Sequence, residues 1–438
     1  MSKAFGIIGL SYGDEGKGAT VDYLCRKHKI SHVIRFNGGP QAAHNVVEPS
    51  GRWHCFSQFG SGTLVPGVMT HLNMNVLIEP TNLINELAVL HSKGIADALS
   101  RFSLDPRCRI ITPWNKMIGQ MQELSRCESR HGSVGMGVGN AAYDSLLGDD
   151  FILRVRDLQS VSGLKKKLKS IYEYKFAEAE DILKQNDLVV IRNTYNKFKE
   201  YSPGIIAESL SAFFFKTAQN VKPDEKIFQE IINSGSAIVF EGAQGVLLDP
   251  EVGFSPHVTK TPCNSGFLHQ FIEPYNNHIE METIGVVRAY AHRHGPGPLL
   301  TEDANLHSTL KTEHNQANFW QGRFRNGWFD VPIIKHALHH SPVDTIYMTC
   351  LDRLSLFEKI KICIEYKKGA GEGKTFPDRI KSDFANDINP GYVEFAGWKH
   401  HIDKYQNLKN FIDFISEKLN TNISTLADGP TYLNRYNL

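Results

Sequence analysis

Phe5-Gly6-Ile7-Ile8-Gly9-Leu10 runs directly into Ser11-Tyr12-Gly13-Asp14-Glu15-Gly16-Lys17-Gly18, and the helix-like segment 19–28 follows. An apolar strand, a glycine-rich turn with two carboxylates and a lysine, and then a helix N-terminus is how an α/β protein grips phosphate. Glycines let backbone N–H groups approach the oxygens, the helix end contributes its positive dipole, and Lys17 adds a formal charge. The stretch is P-loop-like without being the standard P-loop. Gly9 to Gly16-Lys17 is spaced too widely, and Gly18 stands where Ser or Thr would hold Mg²⁺. Asp14 is the available candidate for both the metal ligand and the proton chemistry.

The rest of the chain bounds this reading. With 438 residues, 41% of them hydrophobic, it can bury a large core. A formal net charge of +1 gives no general attraction to nucleic acid or to an anionic membrane, so nucleotide binding has to be local. No apolar run approaches transmembrane length, and Met1-Ser2-Lys3-Ala4 leads straight into a strand rather than a secretion signal. Seven scattered cysteines without a CxxC pair suit reduced thiols, so a cytoplasmic location is expected.

Buried-strand candidates fall at 5–10, 32–36, 188–192, 237–240, 283–289, 345–348 and 359–366, with helix-like segments between them. This rhythm predicts a mostly parallel sheet with ligands at the carboxyl ends of its strands. The segment 161–185 is helix-periodic, and its Lys165-Lys166-Lys167 run reads as a solvated face.

Three further loops carry chemistry. Asn37-Gly38-Gly39-Pro40-Gln41-Ala42-Ala43-His44-Asn45 places an imidazole after the second strand, where it can donate a proton or bond a phosphoryl oxygen. Glu241-Gly242-Ala243-Gln244-Gly245 puts small residues and one amide after another strand. Gly322-Arg323-Phe324-Arg325-Asn326-Gly327-Trp328 presents two guanidinium groups suited to carboxylate or phosphate.

Taken together these loops resemble the adenylosuccinate synthetase family, in order from Phe5 to Pro430. The most specific matches are GDEGKG at Gly13–Gly18 and FEGAQGVLLD at Phe240–Asp249. Gly253 to Thr259, Gly285 to Glu302, Gly322 to Trp328 and Gly429-Pro430 add to them. The resemblance implies an α/β fold with one large mixed, mainly parallel sheet wrapped by helices, a single domain over 1–438, and a homodimer. It also implies a two-step ligation. A carboxylate takes the N1 proton of a 6-oxopurine nucleotide, IMP, while its 6-oxygen attacks the γ-phosphate of GTP. The amine of L-aspartate then displaces phosphate from the 6-phosphoryl intermediate.

By the same resemblance, Asp14 is the base and a Mg²⁺ ligand, with the carbonyl of Ala43 as a second ligand. His44 is the acid, Lys17 a phosphate contact, and Gln244 orients the 6-oxygen. The nucleotide-binding set takes in Gly13, Asp14, Glu15, Gly16, Lys17, Gly18 and Ala19, then Gln41, Ala42, Ala43, His44 and Asn45. It continues with Ser133, Val134, Gln244, Thr259, Arg323, Arg325, Cys350, Leu351, Asp352, Ala427, Asp428 and Gly429. The aspartate-binding loop is Phe319, Trp320, Gln321, Gly322, Arg323, Phe324 and Arg325.

Departures from the family cluster where substrates are recognised. Val134 and Met136 replace a phosphate-binding hydroxyl and an arginine, and Arg154 is the nearest cation in sequence to a second missing arginine. Phe319-Trp320-Gln321 replaces a Thr-Thr stretch, and Gln41 an asparagine. Cys350 and Ala427 replace a lysine and a serine that read guanine, which leaves Asp352. GTP is therefore expected to be only slightly favoured, with ATP possible. Phage relatives that act on dGMP with ATP share some of these changes but lack the first-loop aspartate, which favours IMP here. An inactive nucleotide-binding paralogue is the alternative of another class, and the joint retention of base, acid and arginine pair argues against it.

Overall fold

The strand Ser2–Gly9 is buried at seven of its eight positions, because both of its faces are covered. It lies at the centre of a nine-stranded sheet ordered Arg435–Asn437, Ile423–Ala427, Thr345–Thr349, Ile279–Arg288, Ser2–Gly9, Ile238–Glu241, His32–Arg35, Met69–Leu72, Phe102–Leu104. Every neighbouring pair is parallel except the first, so eight strand ends face one way and their following loops gather at one edge. The computed structural model describes residues 1–310, 319–368, 372–373, 376, 380–386, 388–398 and 404–438.

Beyond the Phe102–Leu104 edge stand helices started by strong local signals. Thr112 makes a capping box ahead of Pro113–Ser125, Ser160 caps Val161–Gln185, and Ser202 caps Pro203–Thr217 with proline at its first position. Helix Val161–Gln185 buries Leu164, Leu168, Ile171, Lys175 and Ala179 along one stripe. Lys165 and Lys166 are exposed, and Lys167 binds Asp157 at 2.7 Å.

Two strand expectations are corrected. Residues 188–192 open the helix Val189–Glu200, whose Ile191, Tyr195 and Phe198 pack towards Pro113–Ser125, with the Trp114 and Phe198 rings 6.5 Å apart. The β-branched run suggested a strand, but burial on a 3.6-residue period decided the outcome. The strand Lys359–Lys368 exists but belongs to a separate small sheet, paired with Phe329–Asp330 and Ile388–Ala396.

Asp330 is buried between these sheets, where it accepts a hydrogen bond from the Tyr366 hydroxyl at 2.5 Å and caps the helix Val331–His340. Burial outweighs both bonds and raises its pKa to about 7. The folded state therefore holds this proton more tightly than the unfolded chain, so the group's contribution to stability falls as pH rises from about 4 to about 7. Asp330→Asn keeps an acceptor and removes the titration. Its melting temperature is expected to exceed the wild type's at pH 8 by several degrees and to match it near pH 4.5. A constant difference at both pH values would refute this assignment.

Candidate active site

The loop after the central strand is built around Glu15. This buried carboxylate accepts from the backbone N–H groups of Ser11 (3.0 Å) and Gly13 (2.9 Å) and pairs with Lys17 Nζ at 2.6 Å. Neighbouring segments fix the carbonyls that follow. Arg288 Nε donates to Asp14 O at 2.7 Å, Thr349 Oγ1 donates to Glu15 O at 2.6 Å, and His292 Nε2 donates to Gly13 O. Held in this way, Asp14 adopts φ 59°, a left-handed conformation that Asp and Asn tolerate better than most residues. Its half-buried carboxylate receives no hydrogen bond from any described residue and lines a cavity of about 420 Å³.

His44 faces the same cavity from the first position of the strand His44–Val47, which follows the loop after His32–Arg35. Its Nδ1 is 2.5 Å from Glu241 Oε1, and Glu241 also accepts from the Ser61 backbone N–H at 2.9 Å and from the Ser61 hydroxyl. Burial raises the Glu241 pKa, but the Arg35 charge and the bonds from His44 and Ser61 outweigh it and hold the group at about 2. Burial lowers the His44 pKa, and Glu241 only partly offsets that. The neutral imidazole thus carries its hydrogen on Nδ1 towards the carboxylate, leaving Nε2 to meet a ligand. Gly18 explains the missing P-loop hydroxyl: a Cβ there would lie 2.8 Å from His44 Cβ.

Gly13, Lys17, Gln41, Ala42, Ala43, Ser133, Val134, Gln244, Thr259 and Gln321 line the cavity with Asp14 and His44. Both amide atoms of Gln41 and Oε1 of Gln244 are buried without partners, and such atoms imply a ligand with matching donors and acceptors. Glu15, Gly16, Gly18, Ala19 and Asn45 lie behind or beside these residues and do not line the cavity.

Neither loop arginine lines it. Arg323 is exposed, and Arg325 binds Glu302 at 2.7 Å and the carbonyls of Gly295 and Gly297 at 2.7 and 2.6 Å. Phe324 is buried with its ring 5.9 Å from that of His292. Phe319 is exposed, its carbonyl accepting from Arg130 at 3.1 Å, while a Cβ on Gly135 would approach Trp320 to 3.0 Å. The 130–137 and 319–322 loops therefore meet, with Gly322 beside Gln321 at the cavity edge. Arg154 binds Asp149 and the carbonyl of Arg107 and lies outside the lining.

Cys350, Leu351 and Asp352 stand apart from this cavity, beside Ala427, Asp428 and Gly429. The strands before them pair in parallel, Met348 opposite Leu426, which sets both segments at one sheet edge. Burial raises the Asp352 pKa, partly offset by Arg353.

Sequence reasoning missed Glu241, although it stood in a quoted string at the end of a buried strand. It also missed Arg293 and Lys260, two further cations of the cavity wall. As for Mg²⁺, the described residues contain no cluster of three or more His, Cys, Asp or Glu side chains able to hold a metal. One free carboxylate, Asp14, with a nearby backbone carbonyl such as that of Ala43, fits an ion that keeps several non-protein ligands.

A family model described as adenylosuccinate synthetase matches residues 6–434. The adenylosuccinate synthetases of Caldicellulosiruptor bescii and Marinobacter nauticus are each 30% identical to this chain, over 98% of it and 98% and 97% of their own lengths. Among solved structures, fully ligated adenylosuccinate synthetase from Plasmodium falciparum shares the fold with a TM-score of 0.85 at 23% identity, covering 99% of each chain. The cyanophage S-2L succinoaminodeoxyadenylate synthetase, bound to dGMP and dATP, matches with a TM-score of 0.61 at 14% identity, covering 100% of this chain and 95% of its own. A family match over nearly the whole length, on a fold that brings the strand-end loops around one cavity, shows that the chain belongs to the adenylosuccinate synthetase family, ligases of purine biosynthesis that join aspartate to a purine nucleotide.

Proposed function

We propose that the protein joins L-aspartate to C6 of IMP with conversion of GTP to GDP and phosphate. The observation that carries this reading is the convergence on one cavity of an unengaged carboxylate, Asp14, an imidazole backed by the Glu241 carboxylate, the unpaired amide of Gln41 and the unpaired Oε1 of Gln244. Asp14 removes the N1 proton, and the 6-oxygen attacks the γ-phosphorus as the bond to the β-bridging oxygen breaks. His44, protonated once anionic ligands are bound, hydrogen-bonds the transferring group, and Gln244 orients the 6-oxygen. The aspartate amine then attacks C6, and phosphate leaves with the 6-oxygen. Mg²⁺ held by Asp14 and the Ala43 carbonyl supplies charge neutralisation on the phosphates.

Thr259 takes the acceptor's phosphate, and Arg323 and Arg325 take the aspartate carboxylates, Arg325 by exchanging its present carbonyl partners. The enzyme works as a homodimer, with exposed Tyr143, Leu146 and Leu147 beside the cavity as its apolar contact.

One observation favours a second reading, in which the acceptor is dGMP and the donor ATP. The unpaired Gln41 Oε1 could accept from a 2-amino group. A phosphate-release assay with aspartate, crossing IMP, GMP and dGMP with GTP and ATP, decides between them. Highest kcat/KM for IMP with GTP is expected. Absence of aspartate-dependent turnover with every pair would leave an inactive nucleotide-binding paralogue.

A further inference from the structure

The strand Arg435–Asn437 runs antiparallel to Ile423–Ala427, with Arg435 opposite Ala427. Arg435 is only 9% exposed, and its Nε and Nη1 are buried without hydrogen-bond partners. Asp22, a carboxylate within electrostatic reach, is already held by Arg26 Nε at 3.0 and 3.1 Å. The Tyr23 ring, 5.8 Å away, offers only a π face. Burial lowers the arginine's pKa to about 10, so it remains a cation at neutral pH. A buried cation with unmade hydrogen bonds is costly, and a ligand that supplies acceptors removes the cost.

The surroundings say which ligand. Cys350 lies within electrostatic reach of both Arg435 and Arg288, at the edge where Asp352 and Asp428 also stand. Arg288 is already engaged by Asp14 O and the Tyr290 hydroxyl, so this edge offers the guanidinium donors of Arg435 and a carboxylate acceptor. Guanine presents O6 and N7 as acceptors and its N1–H and 2-amino group as donors, which fits that pair. Adenine held in the same pose places its 6-amino donor towards the guanidinium and its N1 acceptor towards the carboxylate, a mismatch at both positions.

We infer that Arg435 is a specificity-determining residue for the nucleoside triphosphate, donating to the 6-oxo edge of its base while Asp352 accepts from the other. This rests on the proposed use of a purine triphosphate by this chain. It also revises the expectation that only Asp352 remains to read the base. Sequence reading saw the losses at Cys350 and Ala427 but not the arginine that folds in beside them. A lysine restored at position 350 would now sit between two arginines.

The test compares wild type, Arg435→Gln and Arg435→Lys in kcat/KM for GTP and ATP, alongside calorimetric binding of GDP and ADP. Arg435→Gln is expected to lower the GTP value and GDP affinity about 10- to 100-fold, the size of a lost charged hydrogen bond. ATP and ADP should change by less than about threefold, with Arg435→Lys intermediate. A GDP-to-ADP affinity ratio within about threefold of wild type in both variants would overturn the inference. So would equal losses for both nucleotides, the mark of a structural role. If the glutamine variant does not fold, the lysine variant alone decides by the same ratio. Should wild type give no aspartate-dependent product, the proposed function fails, and the binding ratio still tests Arg435.

Discussion

Asp14→Asn is expected to lower kcat by about a hundredfold or more while leaving the melting temperature within a degree or two of wild type. The catalytic part follows from the proposed mechanism, in which Asp14 is the base that takes the purine N1 proton. The structural part follows from two features of the loop. Asparagine occupies the left-handed conformation at φ 59° as readily as aspartate, and no described residue donates to the carboxylate being replaced. Glu15, not Asp14, holds the turn together, so Glu15→Gln should instead damage the fold by unpairing Lys17. Turnover of Asp14→Asn within about threefold of wild type would remove Asp14 from the chemistry.

His44→Asn should reduce kcat by about a hundredfold or more with little change in nucleotide KM, because its hydrogen bond strengthens as charge develops on the transferring phosphoryl group. Glu241→Gln provides the companion measurement. Glutamine can still accept from Nδ1 but lacks the charge that favours imidazolium, so kcat should fall about tenfold. Its decline on the alkaline side should also move to lower pH. The same change removes a carboxylate whose folded pKa lies at about 2, below the ordinary 4.5. That carboxylate's stabilisation is complete above pH 4.5 and is lost as pH falls towards 2, so the variant should be less stable than wild type at pH 7 and approach it in acid. A His44 variant altered only in KM would make the residue a binding contact.

The central strand, its phosphate loop and most of the parallel sheet were legible because buried β-branched runs, glycines and helix starts are local signals. The helix at 189–200 was not, since its opening residues have strand propensity and only packing on the neighbouring helices chooses the period. The same division runs through the site. Asp14, His44 and Gln244 could be read from strings with few alternatives. Glu241 gains its role from a contact with a residue 197 positions away. Arg435 gains its place from a strand added at the sheet's edge. Neither distance leaves a mark in sequence spacing.

The contact between Gly18 and His44 has an evolutionary consequence. A hydroxyl-bearing side chain at the start of the first helix and an imidazole on the adjoining loop compete for the same few cubic ångströms, because a Cβ at position 18 would meet His44 Cβ at 2.8 Å and Ser61 Oγ at 3.0 Å. Serine or threonine at position 18 would have to push His44 and Ser61 aside, and with them the bonds both make to Glu241. On this backbone a hydroxyl at position 18 and His44 in its present place oppose each other, so the two positions would have to change together.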